Sequence, residues 1–229
     1  MKSISHEHGK INSKIVSKQI ISIVFLTILT LLTMESQAQT FKTIENKDLK
    51  LEVYNASENS FGVASVIVSG KKDAVLIDTQ FTLADAEKVA QEIKKSGKKL
   101  TTIFVSHGDP DFYFGLEVFK KYFPEVTAYA TPATIEHIKA TAQKKLDVWG
   151  ERLGKNITSN VILPQVLKGN SIELEGHHLE IVGLQEFPSQ TFVWIPSIKA
   201  VVGGINVFGT TFHLWMADAQ TTEARKNWI

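Results

Sequence analysis

β-rich runs, each followed by an amphipathic helix, set the strongest constraint on how this chain folds. Leu51 to Tyr54 alternates, Val63 to Val68 and Ala74 to Ile77 are apolar and β-branched, and Ser69 to Asp73 reads as a turn. A helix follows, with Thr82 as N-cap, Asp85 at the capping-box position and Gly97 as the stop; Leu83, Ala86, Val89, Ala90 and Ile93 share one face. Thr101 to Val105 predicts a buried strand, Leu116, Phe119 and Phe123 a short helix closed by Pro124, and Val126 to Ala130 another strand. Thr131-Pro132 opens a second long helix, with Ile135, Ile138, Ala142 and Leu146 on its inner stripe. The second half returns to strands over residues 161–163, 171–174, 178–182, 191–195 and 199–202, and Thr222 caps a last short helix. This order implies an α/β layered domain, sheets covered by helices, over residues 39–229.

Composition narrows the chemistry. The chain has no cysteine, which excludes disulfides, thiolate metal sites and a cysteine nucleophile, so a metal would be held by His, Asp and Glu. Lys and Arg number 25 against 24 Asp and Glu, with no basic run, which argues against a nucleic-acid partner. At the N-terminus, Lys14 and Lys18 precede an apolar run from Ile20 to Met34, and Ser36-Gln37-Ala38 supplies the small residues of a signal-peptidase site. Residues 1–38 therefore read as a signal peptide. The apolar run is shorter than the ~20 residues a spanning helix needs, so no stable membrane anchor is expected after cleavage. The protein is expected to be periplasmic or secreted.

The strand ending at Val105 runs into Ser106-His107-Gly108-Asp109-Pro110-Asp111, a polar loop that no core requires. In an extended segment alternate side chains share a face, so His107, Asp109 and Asp111 can converge on one ion. A second reading stays open: Asp109-Pro110 is a common turn initiator, and His107 beside it an ordinary loop residue. Phe112 and Tyr113 are candidates for the wall of a substrate pocket, or for the core. His177-His178 and His137 read as exposed residues outside any site.

At this point the sequence resembles the metallo-β-lactamase-fold superfamily, whose signature is His-x-His-x-Asp-His after a strand, followed by a glycine and a helix. Val75 to Thr79, the helix after it, Ile103 to His107 and Gly115-Leu116-Glu117 are similar to that family's first half in order and spacing. Thr191 to Pro196 with Ala200 to Gly204 is similar to its later paired strands. The resemblance implies a metallo-β-lactamase-like αββα sandwich, here expected to be incomplete at the C-terminus. His107 matches the first family histidine and Asp111 the family aspartate. Asp109 stands where the second histidine belongs, and Phe112 where a second metal would find its histidine. Glu186 falls near the next metal histidine, Gly204 where the bridging aspartate is expected, and Asp78 at a structural aspartate. His213 and Asp218 follow the Gly203-Gly204 region, as replacement ligands or as a structural histidine and a capping aspartate.

The resemblance implies an exported metal-dependent hydrolase acting on a small molecule. His107, Asp109 and Glu186 would hold one divalent ion: zinc by family, with manganese or iron favoured by the extra oxygen donors. Asp111 would orient or deprotonate a metal-activated water that attacks an ester, lactone, thioester or amide carbonyl. The alternative is a binding protein that keeps the fold without hydrolysis.

Overall fold

The computed structural model describes residues 41–46, 48–206 and 221–226. The expected leader, His213 and Asp218 lie outside them. Among the described residues, seven strands form the first sheet, in the order β1 (Lys42–Asn46), β2 (Leu49–Asn55), β3 (Ala64–Ser69), β4 (Asp73–Ile77), β5 (Lys99–Phe104), β6 (Thr127–Ala130) and β7 (Gln165–Val166). Pairing is antiparallel from β1 to β4 and parallel from β4 to β7. A second, antiparallel sheet runs β11 (Ala200–Val202), β10 (Phe192–Ile195), β9 (His177–Val182), β8 (Ser171–Leu174).

Alternation along the central strands explains the layering. Val66, Val68, Val75, Ile77 and Phe104 point to one core, where they meet Ile172, Leu174, Leu179, Ile181, Val193 and Ile195 of the second sheet. Ile67, Ala74, Leu76 and Ile103 point the other way, into a core closed by α1 (Leu83–Ser96), α2 (Pro110–Tyr113), α3 (Leu116–Tyr122) and α4 (Pro132–Leu153). A short helix α5 (Thr222–Lys226) follows later in the chain. Leu100 and Ile103 are an odd number of residues apart yet share the helix-side core. The pairing steps from Ala74 with Leu100 to Val75 with Thr102, and the extra Thr101 restores the phase.

Local signals place the helices. The Thr82 hydroxyl accepts the Asp85 N–H at 3.2 Å and donates to the Asp85 carboxylate at 2.7 Å, and Gly97 closes α1 at φ 71°. Thr131 caps α4 by accepting the Thr134 N–H at 3.0 Å, ahead of Pro132 at the first helical position. One expected strand moves. Residues 161–163 form no strand and the pairing segment is β7, because Pro164 has no ladder donor and restricts the residue before it. Strand β1 gave no signal, since it is an exposed edge with no apolar face.

Candidate active site

The loop after β5 is built on Asp78, the residue that follows β4. Asp78 is fully buried at φ 61°, and its backbone N–H donates to the Phe104 carbonyl at 2.9 Å. Its carboxyl accepts the Ser106 N–H at 2.8 Å and the Ser106 hydroxyl at 2.7 Å. The Ser106 hydroxyl in turn accepts the Gly204 N–H at 3.0 Å, and the Ser106 carbonyl accepts both the N–H and the hydroxyl of Thr191 at 3.1 Å. The two sheets therefore meet at Ser106. Burial pushes the Asp78 carboxyl up to about 7, against the hydrogen bonds from Ser106 and Gly204.

His107 is buried, pairs through its backbone with Gln190, and packs edge-on against Phe112 with ring centroids 5.0 Å apart. Its Nδ1 accepts the Asp109 N–H at 3.1 Å, so Nε2 carries the proton of the neutral ring. Burial pushes His107 down to about 4, against the pull of Asp109. The ring is uncharged at neutral pH, and its 3.6 Å approach to Asp109 is not an ion pair.

Asp109 finds its counter-charge elsewhere. Lys145 of α4 binds its Oδ1 through Nζ and also donates to the Gly108 carbonyl at 3.1 Å. His137, two turns earlier on the same face of α4, places Nε2 at 3.3 Å from Lys145 Nζ and 3.7 Å from Asp109 Oδ1. Gly108 permits this approach: a Cβ there would lie 2.6 Å from the His137 ring. Burial opposes the charge on Asp109, but the Lys145 ammonium bound to Oδ1 outweighs it and holds the carboxyl well below the usual carboxylate range. His137, expected outside any site, lies against this loop, together with Lys145, for which no role is expected from the sequence. Their eight-residue spacing on one helix face was the available signal.

Asp111 departs from the extended geometry expected of it. Pro110 at the first helical position starts α2, so alternation ends at Asp109 and Asp111 sits in a helical first turn. The Asp111 residue is half-buried, so its carboxyl keeps contact with solvent. Burial, then the nearby Asp109 charge, push it up to about 7. Phe112 and Tyr113 are both buried in the helix-side core and do not wall an open pocket. The Tyr113 hydroxyl is buried with no hydrogen-bond partner among the described residues, and desolvation followed by the charges of Asp109 and Asp111 raises its pKa.

The expected metal set is not assembled. Asp109 Oδ1 is taken by Lys145, His107 Nδ1 is taken by the Asp109 N–H, and His107 Nε2 lies on the opposite edge of the ring from Asp109. Glu186 is exposed in a turn after β9. Among the described residues, no group of three or more His, Asp or Glu side chains is arranged to hold a metal ion. Gly204, at φ 79°, could not carry a carboxylate: a Cβ there would lie 2.5 Å from the Thr191 carbonyl oxygen and 2.9 Å from Phe192 Cβ. The described residues therefore do not fit a divalent ion on this loop.

The family model for the metallo-beta-lactamase superfamily matches residues 59–193. The chain belongs to the metallo-beta-lactamase superfamily. Comparison with curated proteins gives no match. Among solved structures, it is similar to DIM-1 metallo-beta-lactamase (20% identity, 82% of each chain covered, TM-score 0.54). It is also similar to a metallo-beta-lactamase from Pontibacter korlensis (18% identity, 76% of this chain and 75% of that one, TM-score 0.54) and to VMB-1 (15% identity, 76% and 74%, TM-score 0.55). At these identities the likeness shows the fold alone. The α/β sandwich read from the sequence agrees with it, and Asp78, His107 and Asp111 of this superfamily member sit around one loop at the ends of β4 and β5.

Proposed function

We propose that this superfamily member is a hydrolase of a small molecule carrying an ester, lactone, thioester or amide carbonyl, acting in the periplasm or outside the cell after loss of residues 1–38. The observation that carries the reading is geometric: Lys145 pairs with Asp109 on the loop after β5, two residues before Asp111 in the first turn of α2. Two carboxyls two residues apart are pushed in opposite directions, one held ionised by Lys145 and the other held near neutrality. Such divergence is how one site obtains a fixed charge and a proton carrier at neutral pH. The loop lies beyond the ends of parallel strands, where α/β sheets present ligand-binding residues.

In the proposed reaction the Asp111 carboxylate takes a proton from water as its oxygen attacks the carbonyl carbon. Asp111 returns that proton to the leaving group as the tetrahedral intermediate collapses. Neutral His107, edge-packed on Phe112, holds the loop through the Asp109 N–H. No step is assigned to a metal ion, because the loop does not gather the donors.

The test is turnover of aryl esters, a lactone, a thioester and an anilide by wild type and Asp111→Asn. The reading expects kcat/KM to fall about 10²-fold or more in the variant, with the thermal unfolding midpoint retained. No turnover by folded wild type would sink it. It would leave the non-hydrolytic binding protein, a reading favoured by the closed Lys145–Asp109 pair and by Gly204.

A further inference from the structure

The family resemblance implies a metal cation at the loop after β5, and the described residues carry a different cation there. The Lys145 ammonium has three N–H donors and three acceptors around it: Asp109 Oδ1, the Gly108 carbonyl at 3.1 Å and His137 Nε2 at 3.3 Å. The nitrogen accepts when the neutral ring carries its proton on Nδ1, and at 3.7 Å it is too far from Asp109 to donate to it. A carboxylate oxygen, a carbonyl oxygen and an imidazole nitrogen are also the atoms that would face a divalent ion.

Two observations show that the arrangement is built. Side-chain exposure at Lys145 is 19% despite its position on a helix with a largely exposed outer face, so the long side chain is drawn in. Gly108 leaves room for the His137 ring that a Cβ would displace. His137, Thr141 and Lys145 follow at four-residue intervals on α4, and the Thr141 hydroxyl donates to the His137 carbonyl at 2.8 Å.

We propose that the Lys145 ammonium is the resident cation of the His107–Asp109 loop, a tethered charge held between Asp109, Gly108 and His137. The chain holds Asp109 ionised with a side chain of its own, so the loop keeps its conformation whatever the metal supply. This deepens the hydrolase reading by naming the cation of the site, and rests on that reading only for the link to turnover. The charge pair itself is testable without it.

The experiment measures metal content and thermal unfolding of the full chain, with and without added Mn²⁺ or Zn²⁺, for wild type, Lys145→Met, Lys145→Arg and His107→Ala. Wild type is expected to purify without stoichiometric metal and to show no shift in unfolding midpoint on metal addition. Lys145→Met leaves Asp109 without its cation, so its midpoint is expected to be lower and to recover with metal. Lys145→Arg keeps a charge in place and is expected to behave as wild type. Near-stoichiometric metal in wild type that is lost in His107→Ala overturns the proposal, as do equal responses to metal by wild type and Lys145→Met. Where Lys145→Met does not fold, the cycle Lys145→Met, Asp109→Asn and the double variant is read by expression and unfolding midpoint. Partial rescue in the double variant supports the pair, and additive losses overturn it. None of these readouts uses turnover, so failure of the hydrolase reading stays distinguishable.

Discussion

Two glycines show how single positions govern the site. At Gly108 an added Cβ meets a side chain that is 43% exposed and can swing away, whereas at Gly204 it meets the Thr191 carbonyl at a positive φ. Gly108→Ala is therefore expected to cost about 1 kcal/mol, and Gly204→Ala about 3 kcal/mol or more, strain and overpacking combined. Urea denaturation of the two variants checks the order. The carboxyls carry a pH signature. Asp78 and Asp111 rise from an ordinary 3.8 to about 7, so the folded chain holds protons that the unfolded chain releases. Their contribution to stability is full below about 4 and is lost as pH rises to about 7. Asp109, held low, has the opposite sign: its contribution is present above its unfolded value and lost on acidification. Denaturation across this window is expected to show a shallower decline in Asp111→Asn than in wild type. Turnover is expected to rise through about pH 7 as Asp111 ionises, since a base acts in its unprotonated form. A kcat/KM profile flat across that range in wild type would remove Asp111 as the base.

At the scale of the element, α1 is held by more than its cap. Asp85 accepts the hydroxyls of Tyr54 at 2.6 Å, Ser60 at 2.9 Å and Thr82 at 2.7 Å, tying the helix start to β2 and to the turn before β3. Asp85→Ala keeps the backbone cap on Thr82 but removes the acceptor of three hydroxyl hydrogen bonds, for an expected loss of about 2–4 kcal/mol. Thr131→Ala, at the start of α4, is expected to cost about 1 kcal/mol. If guanidinium denaturation gave equal losses for the two, the Asp85 network would be ordinary capping. The same logic places the loop. Pro110 ends the extended segment and starts α2, and this one residue separates Asp111 from the face shared by His107 and Asp109.

For the whole molecule, the two cores share β3, β4 and β5, whose alternate residues enter one or the other. Leu76→Ala under the helices and Ile77→Ala between the sheets are each expected to cost about 2–5 kcal/mol. Both are expected to lower a single unfolding transition. Trp149 packs on Phe61 and Phe81 on the helix side, while Trp194 lies on β10 of the second sheet. Fluorescence of variants retaining one or the other should give coincident midpoints. Separate midpoints would mean that the second sheet unfolds on its own.

Much of this was local and therefore written in the sequence. The Thr82 and Thr131 caps, the Gly97 stop, the apolar alternation of β3 and β4 and the polar loop from Ser106 to Asp111 depend on residues within a few positions of each other. Their order was enough for the family resemblance. Strand β1 and the shift from 161–163 to β7 were not legible, one for want of an apolar face and the other because pairing is decided by a neighbouring strand. The site chemistry was decided by tertiary structure. Asp109 and Lys145 are 36 residues apart, and only the packing of α4 over Gly108 brings them together. Gly204 reaches Ser106 from the other sheet, across 98 residues. Periodicity fixes which face a residue takes on its own element, but a cation can be assigned to a carboxylate only when the elements have packed and the desolvation of both is set.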